Sequence, residues 1–245
     1  MLFLTTHSLH GPIVTIKVGP NKIAFQAHSS LLFAASTYFS AAFSTPWAGL
    51  SDFELSSFGG LSELDLPGFE ADLFEIYVKF LYTGHLYTQR ADDHTETAAY
   101  KYWDLEWDRL FDLHCMGSYL LDAGFQNAIM DALLDKWRQD QRFPVGYARL
   151  VYDKTTPGSA VRRLIVDFHI HLRKGALILD KASCEEPDAP AEFFHDALIE
   201  LAAVQSGKGP SIPFERFLPC VRYHDHDAVG LSERCSARKK DVAVS

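Results

Sequence analysis

The chain has 245 residues, of which 47% are hydrophobic and 13% aromatic, and its formal net charge is −9 at pH 7. This length and apolar content exclude a disordered chain, because such a sequence can bury enough apolar surface to form one or two folded domains. The apolar runs are much shorter than the roughly 20 residues that cross a bilayer, and the N-terminus lacks a signal-peptide pattern. We therefore expect an intracellular protein with no membrane partner, and the choice between nucleus and cytoplasm stays open.

The charge is unevenly distributed along the chain. Residues 1–141 contain 8 Lys and Arg but 18 Asp and Glu, whereas residues 142–245 are close to neutral. An acidic surface repels a phosphate backbone, so we expect no nucleic-acid binding by the first part. A short basic cluster at Arg238, Lys239 and Lys240 leaves open a transcriptional regulator as one alternative.

The first half of the chain predicts a small sheet with helices. β-branched alternation predicts strands at 13–18 and 22–25, joined by a tight turn at Gly19-Pro20-Asn21. A pair of helices follows within the stretch 25–43, and Ser36 and Thr37 lie where the second could be capped. Residues 63–66 read as a further short strand, and apolar spacing predicts a helix over 69–82 that Gly84 ends.

The second half predicts mainly helices. Residues 90–106 form a polar, acidic insert, which we expect to be exposed and to act as a docking loop with Trp103 or Trp107 at its edge. Helical periodicity returns at 107–121 and 125–137, and again in three segments after Pro144. The fold class is therefore α+β with an α-helical C-terminal extension.

Two motifs resemble the signature of the BTB/POZ domain. The first is a strand, Phe-x-x-His, a Leu-rich helix and Ser-x-Tyr-Phe; the second is an apolar helix followed by Tyr-Thr-Gly. The residues that carry them are Phe25, His28, Leu31, Leu32, Ser36, Tyr38, Phe39 and Phe43, and then Phe80, Leu81, Tyr82, Thr83 and Gly84. The resemblance implies a BTB/POZ domain over residues 10–140 and leaves residues 144–245 as the helical extension. It also gives His28 a structural role.

The resemblance implies a non-enzymatic module for protein–protein interaction. Similar proteins form homodimers through the first helix and the N-terminal strand, which here makes Ser29, Ser30 and Phe33 interface candidates. Some are substrate adaptors for cullin-type ubiquitin ligases. Their cullin surface matches Tyr82, His85 and Leu86, although the acidic insert follows directly.

A Cys/His cluster near the C-terminus is the alternative site. Cys220, His224, His226 and Cys235 are residue types that bind zinc. A zinc-binding module or a metal-dependent enzyme is therefore an alternative, and zinc is the one cofactor that the sequence indicates. The spacing matches no standard zinc finger. The Cys-x-x-Tyr-His-x-His ending resembles the tails of fungal BTB proteins.

Overall fold

A computed structural model describes the chain in segments, which are residues 11–44, 63–91, 93–95, 103–140, 146–172, 188–207 and 222–226. Residue contacts divide the chain into two compact units, 1–129 and 130–245. The predicted domain limits, at 140 and 144, stay a prediction.

The first unit contains a three-stranded sheet in the order β2-β1-β3. Strand β1 (Ile13–Val18) pairs antiparallel with β2 (Ile23–His28) through the predicted turn, and parallel with β3 (Glu63–Leu66), with Val18 opposite Leu66. Alternate residues of β1 are buried, as the β-branched alternation predicted. The sheet therefore presents one face to the core.

Two short helices follow β2 and carry the first motif. Ser36 separates helix α1 (Ser29–Ala35) from helix α2 (Thr37–Ser44). The buried Ser36 hydroxyl accepts a hydrogen bond from the Phe39 N–H at 3.2 Å and donates one to the Leu120 carbonyl, so it caps α2 and ties it to residue 120. The predicted cap is confirmed.

Three longer helices follow among the described residues. Helix α3 (Ala71–Thr83) ends at Gly84, whose φ of 69° is left-handed and whose N–H donates to the Phe80 carbonyl at 2.8 Å. Two-residue strands β4 (His94–Thr95) and β5 (Trp103–Asp104) pair antiparallel and lead into α4 (Leu105–Tyr119). Helix α5 (Ala123–Asp140) begins in this unit.

An aromatic cluster forms the core between these helices. Its fully or almost fully buried members are Phe39, Phe74, Tyr77, Phe80 and Phe125. Neighbouring rings lie 4.9 to 6.4 Å apart, in edge-on, tilted or stacked arrangements that favour aromatic packing. Phe43, the last residue of the first motif, is not part of this buried cluster: its side chain is only half-buried and packs on Phe33, with the ring centroids 5.5 Å apart.

The buried His114 predicts how stability responds to acid. Its Nδ1 has no hydrogen-bond partner among the described residues, and burial lowers the pKa of His114 to about 4. Above about pH 6.5 the imidazole is neutral in both the folded and the unfolded chain, so its burial carries no protonation penalty. As the pH falls below that value, the unfolded chain binds a proton that the folded state does not, and the free energy of unfolding decreases. At pH 5 the loss is about 2 kcal/mol. Burial also raises the pKa of Asp122 to about 6, which acts in the opposite direction over pH 4–6.

We therefore expect His114→Leu to make the free energy of unfolding less sensitive to acid than it is in wild type. Relative to wild type, the variant should gain about 2 kcal/mol of unfolding free energy between pH 7.5 and pH 5, measured by urea denaturation at both pH values. His195→Leu is the control, since His195 is exposed and removing it relieves no burial. A constant difference between His114→Leu and wild type across this range would show that the buried imidazole does not control acid sensitivity.

The regular elements described in the second unit are all helical. It holds the C-terminal part of α5, then α6 (Ala148–Lys154), α7 (Ala160–Asp167) with a π-helical turn (Phe168–Leu172), and α8 (Ala191–Gln205). Phe168 and Phe193 are fully buried and centre a core that also takes Trp137. None of the described helices combines the length and the apolar character that crossing a bilayer requires.

Candidate functional site

The two sequence motifs meet in the structure. The His28 N–H donates to the Tyr82 hydroxyl at 3.0 Å, and His28 Nδ1 lies 2.7 Å from the same oxygen. The end of β2 is thereby fixed to the last turn of α3. His28 is thus a positioning residue between two elements.

Helix α1 presents an uncharged face beside the start of β1. The Ser29 N–H donates to the Pro12 carbonyl at 2.9 Å, which places the start of the helix next to the start of the strand. Ser29 is buried and Ser30 half-buried, whereas Phe33 is 37% exposed. Ile13 is 54% exposed and was not among the candidates from sequence. Its place at the first position of an alternating strand was the available signal.

The segment after α3 presents a second set of exposed side chains. His85 is exposed, Leu86 is half-buried, and Tyr82 is half-buried with its hydroxyl bonded to His28. Tyr87 is 55% exposed, and the sequence motif did not extend far enough to include it.

The acidic insert has a buried, charge-paired stem. Asp93 accepts two hydrogen bonds from the Arg109 guanidinium, at 2.7 and 3.1 Å, and one from the Arg90 N–H at 2.7 Å. Arg109 also donates to the Thr88 carbonyl, and the Thr88 hydroxyl donates to Glu106 at 2.7 Å. Burial would raise the pKa of Asp93, but Arg109 and the Arg90 N–H hold it below its ordinary value.

These contacts correct the expectation that residues 90–106 form an exposed loop throughout. Asp93 and Glu106 are buried, and strands β4 and β5 pair within the same stretch of chain. Trp107 is only 6% exposed and lies in the core, so it offers no aromatic surface at the edge of the insert. It sits in the first turn of an amphipathic helix, where periodicity favours burial. Residues 96–102 and the side chain of Trp103 lie outside the described residues.

The C-terminal Cys/His cluster is described only in part. His224 Nε2 lies 3.0 Å from Asp131 Oδ1, and the rings of His224 and His226 stack with centroids 5.8 Å apart. Cys220 and Cys235 lie outside the described residues, so the four-ligand zinc site stays a prediction. Zinc analysis of the purified protein with and without Cys220→Ala checks it, and a zinc-free wild type would contradict it.

A second cluster, which the sequence did not indicate, lies in the same unit. Ligand atoms of Asp167, His171 and Glu200 lie within 4.8 Å of one another, a donor set that a metal ion accepts. Arg222 occupies this position, because its guanidinium bonds both Asp167 oxygens and contacts Glu200. Only the i,i+4 spacing of Asp167 and His171 was visible in the sequence.

The described surface combines paired charges with exposed apolar side chains. Its described charged clusters are internally paired. Exposed apolar side chains include Phe33 of α1, Ile13 at the start of β1 and Tyr87 after α3, and others lie elsewhere, among them Tyr119 of α4 and Leu198 of α8. The model of the BTB/POZ domain family matches residues 13–108. Residues 13–108 therefore match a BTB/POZ domain, a class of domain that mediates protein–protein interaction, and the described elements that follow them are helices.

Among solved structures, the chain is similar to the BTB domain of zebrafish PATZ1. The two are 19% identical, with a TM-score of 0.33, over 50% of this chain and 75% of that chain. A search of curated proteins found no match.

Proposed function

We propose that the chain is a homodimerising BTB protein whose subunits pair through α1 and the start of β1. The observation that carries this proposal is the combination of an uncharged helix with exposed apolar side chains beside it. Helix α1 contains no acidic or basic residue, Phe33 is 37% exposed on it, and Ile13 is 54% exposed at the strand to which its start is bonded.

A two-fold dimer is the natural way to cover such a surface. In a C2 interface the same patch on both subunits is self-complementary, so one apolar face satisfies both partners. Apolar area removed from water contributes roughly 25 cal/mol per Å², and aromatic side chains supply most at the centre of an interface. Phe33 is the aromatic side chain that α1 exposes, and the half-buried Phe43 supports it from behind.

We expect Phe33→Glu to convert the dimer to a monomer. Placing a carboxylate from each subunit at a symmetric apolar contact desolvates two like charges without a partner, which should weaken association at least 100-fold. Analytical ultracentrifugation over a concentration series measures this. Tyr87→Glu is the matched control, because it adds the same charge at an exposed aromatic side chain outside α1. A Phe33→Glu protein that dimerises as tightly as wild type would contradict the proposed surface.

A finer role as a substrate adaptor for a cullin-type ubiquitin ligase is supported by the segment after α3. In similar proteins the cullin surface lies near the Tyr-Thr-Gly turn, and in this chain His85 and Tyr87 are exposed after the matching residues. The buried stem of the insert begins a few residues later, where Arg109 pairs with Asp93.

We expect a double variant, His85→Ala with Tyr87→Ala, to lose cullin binding by at least tenfold while remaining a dimer. Hot-spot aromatics carry much of an interface's affinity, so their truncation is the sensitive change. Capture of a purified cullin N-terminal domain measures the loss. Phe33→Glu should show the reverse pattern, retaining cullin and losing the dimer. Absence of cullin binding by wild type would leave the dimerising module without this adaptor role.

A further inference from the structure

A fully buried carboxylate in the second unit is the centre of a polar contact with a distant part of the chain. Asp167, at the end of α7, is 0% exposed. Its two oxygens accept hydrogen bonds from Arg222 Nε and Nη2, each at 2.5 Å, and Oδ2 also accepts the Tyr223 hydroxyl at 2.6 Å. Three donors from two consecutive residues therefore satisfy one buried acid.

Two further side chains complete the surroundings of the guanidinium. Glu200 of α8 lies 3.1 Å from Arg222 Nη2, and His171 Nε2 lies 2.9 Å from the other Glu200 oxygen. His171 also lies 3.7 Å from Asp167. Two carboxylates thus face one arginine, and the planar fork of the guanidinium matches Asp167 in the bidentate geometry that lysine cannot reproduce.

The segment that carries Arg222 makes further contacts with α7 and also contacts α5. Arg163 Nε donates to the Arg222 carbonyl at 3.3 Å, Tyr223 is fully buried, and His224 contacts Asp131 of α5. Segment 222–226 thereby contacts three helices of the second unit through side chains as well as backbone. This is the geometry of a short peptide held in a specific site.

We propose that Asp167, Glu200 and His171 form a specific docking site for an arginine–tyrosine pair, and that the chain's own Arg222 and Tyr223 hold the C-terminal segment there. The chemistry is specific in two respects. The buried Asp167 requires a bidentate cation, because a buried carboxylate without a partner is strongly unfavourable. The Tyr223 position requires an aromatic ring that carries a donor, since the hydroxyl bonds Asp167 from a fully buried side chain.

A metal ion is the competing occupant, and the geometry favours arginine. The three ligand side chains are close enough for a metal. However, both Asp167 oxygens and one Glu200 oxygen are already bonded to the Arg222 guanidinium, which neutralises the charge that would attract a cation.

The test uses a fluorescein-labelled peptide of the sequence Val221–His226 and the full-length chain. In wild type the tethered pair competes at an effective concentration in the millimolar range, so the free peptide should bind weakly. A full-length variant with Arg222→Ala and Tyr223→Ala empties the site, and fluorescence anisotropy should then show peptide binding at least tenfold tighter than for wild type. The gain should disappear with a peptide carrying Arg222→Ala, and also when Asp167→Asn is added to the protein.

Equal affinity for wild type and the double variant, or for the two peptides, would overturn the proposal. A second experiment tests the docking site even if the double variant does not fold. A protease site placed between residues 207 and 222 of otherwise wild-type protein allows cleavage of the folded chain. The C-terminal fragment should co-elute with the remainder on gel filtration, and Asp167→Asn should release it.

Asp153→Asn is the control for that arm, because Asp153 is exposed and pairs with Arg149. It should leave the fragment bound. Dissociation of the fragment from the cleaved protein without Asp167→Asn, or its retention by Asp167→Asn, would contradict the docking site.

Discussion

Phe39→Ala should lower the free energy of unfolding by about 3–5 kcal/mol, which is the usual range for truncating a buried phenylalanine. Phe39 is 0% exposed, and its ring lies 6.4 Å from those of Phe74 and Tyr77. The truncation leaves a cavity between α2 and α3 that the surrounding rings fill only partly. Chemical denaturation of wild type and variant measures the loss, which is a large part of the stability of an ordinary domain.

Tyr87→Ala is the comparison for this prediction. Tyr87 is aromatic but exposed, so its truncation should change the unfolding free energy by no more than about 0.5 kcal/mol. If Phe39→Ala were as stable as Tyr87→Ala, the aromatic cluster would not be the core of the first unit.

Asp93→Ala should be about as destabilising as Phe39→Ala, for an electrostatic reason. It removes the carboxylate that receives two hydrogen bonds from Arg109 and leaves that guanidinium buried without its carboxylate partner. Breaking one side of a buried pair costs about 3–5 kcal/mol. Hydrogen exchange should also show faster exchange at the Leu105 N–H, which donates to the Asp93 carbonyl, because the stem of the insert loosens.

The exposed pair between Arg90 and Asp72 supplies the control. These side chains are 40% and 50% exposed, so Asp72→Ala should cost at most about 1 kcal/mol. A double variant, Asp93→Leu with Arg109→Met, should recover part of the loss, because it removes both buried charges together. Equal effects of Asp93→Ala and Asp72→Ala would show that the stem does not depend on the buried pair.

Local sequence patterns predicted the elements of the BTB domain well. Alternation placed β1 and β2, the 3.6-residue period placed α3 and α4, and Ser36 and Gly84 marked a helix start and a helix end. Each of these signals acts within a few residues, so it can be read without the fold.

Contacts between distant residues could not be predicted in the same way. The parallel pairing of β1 with β3 joins Thr15 to Glu63, and no turn chemistry fixes its register. The Asp167–Arg222 contact likewise joins residues 55 positions apart. The prediction that Trp107 lies at an exposed edge is wrong for a different reason: its acidic neighbours indicate a surface, whereas its side of the helix is buried.

The mass of the wild-type protein in solution tests the central claim, a dimerising BTB module, most directly. Sedimentation equilibrium at micromolar concentration should give twice the 27.5 kDa mass of the chain, and Phe33→Glu under the same conditions should give the single-chain mass. A wild-type protein that sediments at 27.5 kDa across the concentration series would contradict the proposed function.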